Sequence, residues 1–135
     1  MKVALDTNVL LVSIPTKSRY RIIFDSLKNN NLTLIISNEI LSEYTEIIGR
    51  KTNAMIANNI SEMLVSLQNV HKQEVYYRWN LISEDEDDNK FVDCAIAGDV
   101  DYLVSNDKHF NCLNKIDFPK LNLLSIDEFI DLLIK

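Results

Sequence analysis

Glycine and proline are nearly missing, with two of each in 135 residues. That scarcity excludes a loop-dominated or low-complexity chain and favours regular elements joined by tight connections. Cysteine is equally rare: Cys94 and Cys112 form no C-x-x-C pair, cannot make a zinc site by themselves, and read as reduced thiols. Positive charge is in deficit, with 14 Lys and Arg against 20 Asp and Glu for a formal net charge of -6. A basic surface that coats nucleic acid is thereby excluded, whereas a local basic rim is not. The longest uncharged stretch near the start, Thr7 to Thr16, is about half of what a membrane span needs. Asp6 interrupts the first apolar residues too early for a secretory leader. A cytoplasmic protein without a membrane partner is the expectation. What is present is ordinary: 47% hydrophobic and 25% charged residues, in a length that suits one domain over residues 1–135. Folding should leave roughly 7,000 Å² exposed out of roughly 22,600 Å² in the unfolded chain.

Strands and helices alternate along the chain. Lys2 to Leu5 reads as a short strand ending at Asp6. Ser18 can cap a helix with Tyr20, Ile23, Phe24 and Leu27 at helical spacing, stopped by Asn29-Asn30-Asn31. Leu32 to Ile36 is a second strand. Ser37 then caps a helix whose stripe is Ile40, Leu41, Tyr44, Ile47 and Ile48, closing at Gly49. Another helix spans about Asn53 to Leu67; Val70 to Val75 is a weaker extended segment, and the chain to Asp87 reads as irregular. A helix from Asp88 to Ala97 with Gly98 as its cap precedes strands at Tyr102 to Ser105 and Leu121 to Leu124. Ser125-Ile126-Asp127-Glu128 is a capping-box start for the last helix. Such alternation argues for an α/β fold, a three-layer α/β/α sandwich with a mostly parallel central sheet.

Charge is unevenly spread. Residues 1–67 carry seven Lys and Arg against six Asp and Glu, a balance of +1; residues 68–135 carry seven against fourteen, a balance of -7. Nine of those fourteen acids lie between Glu84 and Asp107, and Glu84 to Asp87 reads as a solvated acidic loop. Single acids within apolar stretches are different. Parallel α/β sheets form sites beyond the carboxyl ends of their strands, and two strands end in aspartate there, at Asp6 and Asp107. Glu43 lies on the edge of the apolar stripe of its helix, a position that fits an inward ligand as well as a snorkelling boundary residue. Asp93 is the one charge in Phe91-Val92-Asp93-Cys94-Ala95-Ile96-Ala97-Gly98. Burying it alone would cost several kcal/mol, so it needs a partner. A salt bridge to Lys90 or Lys108 is one account; a metal cluster is another, which also accounts for Asp6, Glu43 and Asp107. Four converging carboxylates raise one another's pKa unless a cation joins them. Oxygen-rich, histidine-poor sites suit Mg²⁺ or Mn²⁺, and such an ion serves phosphodiester hydrolysis.

Four motifs then carry a resemblance to a known family. They are Val3-Ala4-Leu5-Asp6-Thr7-Asn8-Val9-Leu10-Leu11, Ser37-Asn38-Glu39-Ile40-Leu41-Ser42-Glu43-Tyr44, Asp85-Glu86-Asp87-Asp88-Asn89-Lys90-Phe91-Val92-Asp93-Cys94-Ala95 and Tyr102-Leu103-Val104-Ser105-Asn106-Asp107. In this order, across nearly the whole chain, they resemble the PIN domain, a nuclease family that includes toxins of bacterial toxin–antitoxin modules. The resemblance implies an α/β/α sandwich and a Mg²⁺ or Mn²⁺ site from Asp6, Glu43, Asp93 and Asp107, supported by Asn8 and Ser105. It implies a ribonuclease, with an RNA substrate and a small antitoxin protein as partners and a homodimer as a further option. Ser105-Asn106 departs from the Thr and Gly or Arg frequent in the fourth motif.

Other residues carry two readings each. Lys17, Arg19 and Arg21 could track a phosphate backbone or line a solvated face. His109 could assist a proton transfer or simply sit at the surface. Tyr76, Tyr77 and Trp79 could stack on bases, with core packing or an oligomer interface as the plainer reading. Asp88 reads as a helix N-cap or as an acid supporting the site from behind its ligands, with the cap favoured. A non-catalytic RNA-binding module of the same fold is the alternative to the enzyme. A phosphotransfer receiver is disfavoured, because the second strand ends in Ser37-Asn38 where a central acceptor aspartate would stand.

Overall fold

The structure, a computed structural model, describes residues 1–83 and 85–135. Five short strands form one all-parallel sheet: β1 Lys2–Leu5, β2 Thr33–Ile36, β3 Val70–Lys72, β4 Tyr102–Val104 and β5 Leu123–Leu124, in the order β3-β2-β1-β4-β5. The flanking helices are α1 Thr7–Ser13, α2 Arg21–Lys28, α3 Asn38–Lys51, α4 Ala54–Ser66, α5 Asn89–Ala97 and α6 Ile126–Ile134. The central strand β1 has Val3, Ala4 and Leu5 fully buried, as expected where both faces are covered by helices. The exposed surface is 7650 Å², close to the area expected from the mass.

The topology places the site. From β1 to β3 the chain steps one way across the sheet, and from β4 to β5 it steps the other way. Right-handed crossovers send the connecting helices to opposite faces. The order reverses between β1 and β4, where parallel sheets open a crevice beyond the strand ends. Register aligns Leu5 with Val104, so the next residues, Asp6 and Ser105, leave the sheet side by side.

Several boundaries differ from the sequence expectation. Thr7–Ser13 forms α1, although its uncharged run showed no amphipathic period. Helix α2 starts at Arg21, because the Ser18 hydroxyl accepts the Tyr20 N–H at 3.1 Å and closes a turn first. Helix α3 is capped by Ser37 as expected but runs through Gly49 to Lys51. At Gly98 the backbone is right-handed; Asp99 beside it takes the left-handed conformation, with φ 51°. Gly98 caps α5 as expected and also serves a close approach, since a Cβ there would stand 2.6 Å from Ile35 Cγ2. A 3-10 helix, Lys108–Lys115, follows β4, and the capping box of α6 is present as expected. Among the described residues, no helix is long and apolar enough to cross a membrane.

Candidate functional site

The crevice at the reversal is built from the ends of β1 and β4. Asp6 follows β1 at the start of α1; it is buried, and its carboxylate makes no cap to its own helix. Asp6 Oδ2 instead accepts the Ser105 hydroxyl at 2.8 Å. Ser105 Oγ in turn accepts the Asp107 N–H at 3.0 Å, and Asp107 Oδ1 accepts the His109 N–H at 2.9 Å. One hydroxyl thus locks the two strand-end aspartates together. Burial pushes the Asp6 carboxyl up and the Ser105 bond pulls it down, with Asp107 and Glu43 adding repulsion. Asp6, Asn8, Asn106 and Asp107 share a cleft of about 310 Å³, whose other wall includes Val12 and Tyr20. Asn106 is also structural, since its side chain accepts the Ile126 N–H at 2.8 Å and ties β4 to α6.

Glu43 joins this group from α3. The neighbouring Tyr44 is buried and donates its hydroxyl to the Leu5 carbonyl at 2.6 Å, which pins α3 to the end of β1. Glu43 Oε2 accepts the Thr7 hydroxyl, and Oε1 pairs with Lys90 Nζ at 2.7 Å. Asp88 enters from the 3-10 turn Glu86–Asp88 ahead of α5. It makes no cap bond, contrary to the N-cap expectation. Asp88 Oδ2 is buried and stands 3.4 Å from His109 Nδ1, which is also 3.4 Å from Asp107 Oδ1. Burial, then Asp85, Asp107 and Asp6, push the Asp88 carboxyl up to about 6. Asp85, Asp88 and His109 each offer a ligand atom, all within 4.8 Å of one another.

Asp93 is not brought to this group. It is buried, but its Oδ1 accepts the Trp79 N–H at 3.0 Å. One turn earlier on α5, Asn89 bonds both the N–H and the carbonyl of Ile82 at 2.9 Å. Two polar side chains at i and i+4 therefore satisfy the backbone of an irregular segment laid along the helix. Burial raises the Asp93 carboxyl, and the charges beside it are Arg78 and Glu39. Neither lysine proposed as its partner is used: Lys90 goes to Glu43, and Lys108 is exposed.

The basic cluster divides. Arg21 pairs with Asp25 at 2.9 Å, donates to the Ile14 carbonyl and lies over the Phe24 ring; it holds the 14–25 segment together. Arg19 pairs with Asp127 at 3.1 Å on the surface, and Lys17 is exposed. Tyr76 and Tyr77 are exposed rather than core, and the Tyr77, Trp79 and Phe118 rings meet edge to face.

A family model for the PIN domain matches residues 2–109. The chain belongs to the PIN domain family. Its fold is similar to that of a chain in the crystal structure of VapBC2 from Rickettsia felis bound to a DNA fragment from their promoter, at 19% identity and a TM-score of 0.62, over 93% of this chain and 98% of that one. No curated protein matches the sequence.

In this PIN domain the donors fit a hard divalent ion. Asp6, Asp107, Asp88, Asp85 and Glu43 offer carboxylate oxygens with a single imidazole nearby, the set that suits Mg²⁺ or Mn²⁺ rather than zinc. Asp88 Oδ2, buried beside other acids, is the kind of atom that a cation relieves. Asp85 and Asp88 were hidden in an acidic run; their i, i+3 spacing ahead of a helix was the available signal. Thr7 and Lys90 gave none, because neither side chain is unusual where it stands.

Proposed function

We propose that the chain is a Mg²⁺- or Mn²⁺-dependent endoribonuclease of one domain, and the toxin half of a toxin–antitoxin pair. The observation that carries this reading is the convergence of Asp6, Glu43, Asp88 and Asp107 on the reversal point of the sheet. A bound divalent ion supplies Lewis acidity toward the phosphodiester and toward the attacking water. Asp6 and Asp107 would hold it from the strand ends, with Ser105 tying the two together. Asp88 would join them from the turn ahead of α5, and Asn8, exposed in the lining of the cleft, is placed to bond a phosphate or ribose oxygen. Lys17, on the segment that walls this cleft, draws the RNA backbone in. Asp93 keeps the 79–82 segment on α5 and takes no part in the chemistry.

The test is cleavage of single-stranded RNA with Mg²⁺ or Mn²⁺ and with EDTA. Activity should require the ion and vanish in Asp6→Asn and Asp107→Asn, each of which removes a charge without changing shape. Activity in EDTA would overturn the metal reading, and RNA binding without cleavage would select the non-catalytic module. The toxin half of the proposal follows from the family and from the fold shared with a chain of VapBC2. Expression of the wild type alone should arrest growth, whereas the Asp6→Asn protein should not. An adjacent small reading frame should encode a partner that co-purifies, most simply one that places an arginine among the carboxylates.

A further inference from the structure

Glu43 has both oxygens engaged, Oε1 by Lys90 Nζ at 2.7 Å and Oε2 by Thr7, and is the acid of the group that pairs with a lysine. Its charge is therefore already offset by an ammonium, although its oxygens keep lone pairs free for an ion. Lys90 is well placed to stay. Its side chain is only 15% exposed, and Phe91 lies under its ammonium, 5.7 Å from the ring centroid. It is the second residue of α5, two positions after Asp88 at the end of the preceding 3-10 turn. It also lines the groove of about 600 Å³ into which Glu43 opens, alongside Ser42 and Arg50. The aspartates open into the other cleft.

We propose that Lys90 is a built-in second cation of this centre. It neutralises Glu43 at the edge of the acidic group, so the chain binds one divalent ion and Lys90 meets the developing charge on the phosphate. This rests on the metal-dependent reading above. The physical basis is charge balance: a fixed ammonium beside Glu43 repels a second divalent ion and offsets the negative charge that would attract it.

The experiment counts Mn²⁺ bound to the full chain by electron paramagnetic resonance, for wild type, Lys90→Arg and Lys90→Met. Methionine keeps the apolar stem and removes the charge; arginine keeps the charge. Wild type and Lys90→Arg should bind one ion, and Lys90→Met should bind two and cleave RNA with lower kcat. One ion in Lys90→Met, or two in wild type or in Lys90→Arg, overturns the role of Lys90 while leaving the metal-dependent reading intact. No ion in wild type removes both.

Discussion

Asp88 and Asp93 lie five residues apart around one helix start, and their surroundings give them different work. Asp93 meets a backbone N–H, which Asn can also meet, so Asp93→Asn should leave RNA cleavage near the wild-type rate. Asp88→Asn should lower it by more than the roughly 10–100-fold that loss of a merely supporting group costs. Single-turnover cleavage of one RNA by both variants separates the two roles. Asp88 also has a pH signature. Its carboxyl is raised to about 6 from an ordinary 3.8, so between these values the folded chain holds a proton that the unfolded chain has lost. Its contribution to stability is therefore fully present below about pH 4 and falls away as pH rises through 6. Without metal, the Tm of Asp88→Asn relative to wild type should rise from pH 4 to 6.5 and then level off. Mn²⁺ affinity of the wild type should fall about tenfold per pH unit below 6, because the ion displaces that proton; titration of Mn²⁺ at several pH values reads this directly.

Helix α5 shows how an element can be legible in kind and misleading in detail. Its apolar run announced burial, and that was found. The run could not say what satisfies Asp93, because the answer is the N–H of Trp79 in a segment with no periodicity at all. Asp6 and Asp107 were legible because a strand end is a position that the alternation of elements defines. Asp88 was less so, because an acid standing just before an apolar helical run has the look of a cap as much as of a ligand. Gly98 was read as the cap of α5 and is one, but it is also a contact: α5 comes so close to β2 that a Cβ would strike Ile35, a buried and β-branched neighbour. Gly98→Ala should destabilise the chain by about 1–3 kcal/mol, measured by urea unfolding. A glycine needed only for a left-handed cap would not produce this at a right-handed backbone position.

At the scale of the whole molecule, the net charge of -6 repels RNA over most of the surface, so few basic groups can contribute to capture. Arg21 is committed to its own segment and Arg19 to Asp127. Lys17→Gln should weaken RNA binding similarly for all sequences and reduce the salt slope of log K by about 0.7, the amount for one single-strand phosphate contact. Filter binding across a salt series gives the slope, and an unchanged slope would remove Lys17 from the RNA path. The parallel sheet has a different consequence at its rims. Its edge strands are only three and two residues long, and β3 exposes His71 and Lys72. Edges so short, one of them charged, offer a neighbouring chain almost no row of unpaired backbone groups to zip against. Crowded copies of this protein should therefore resist fibre formation, and a protein that silences it would have to grip helices and clefts instead of adding a strand.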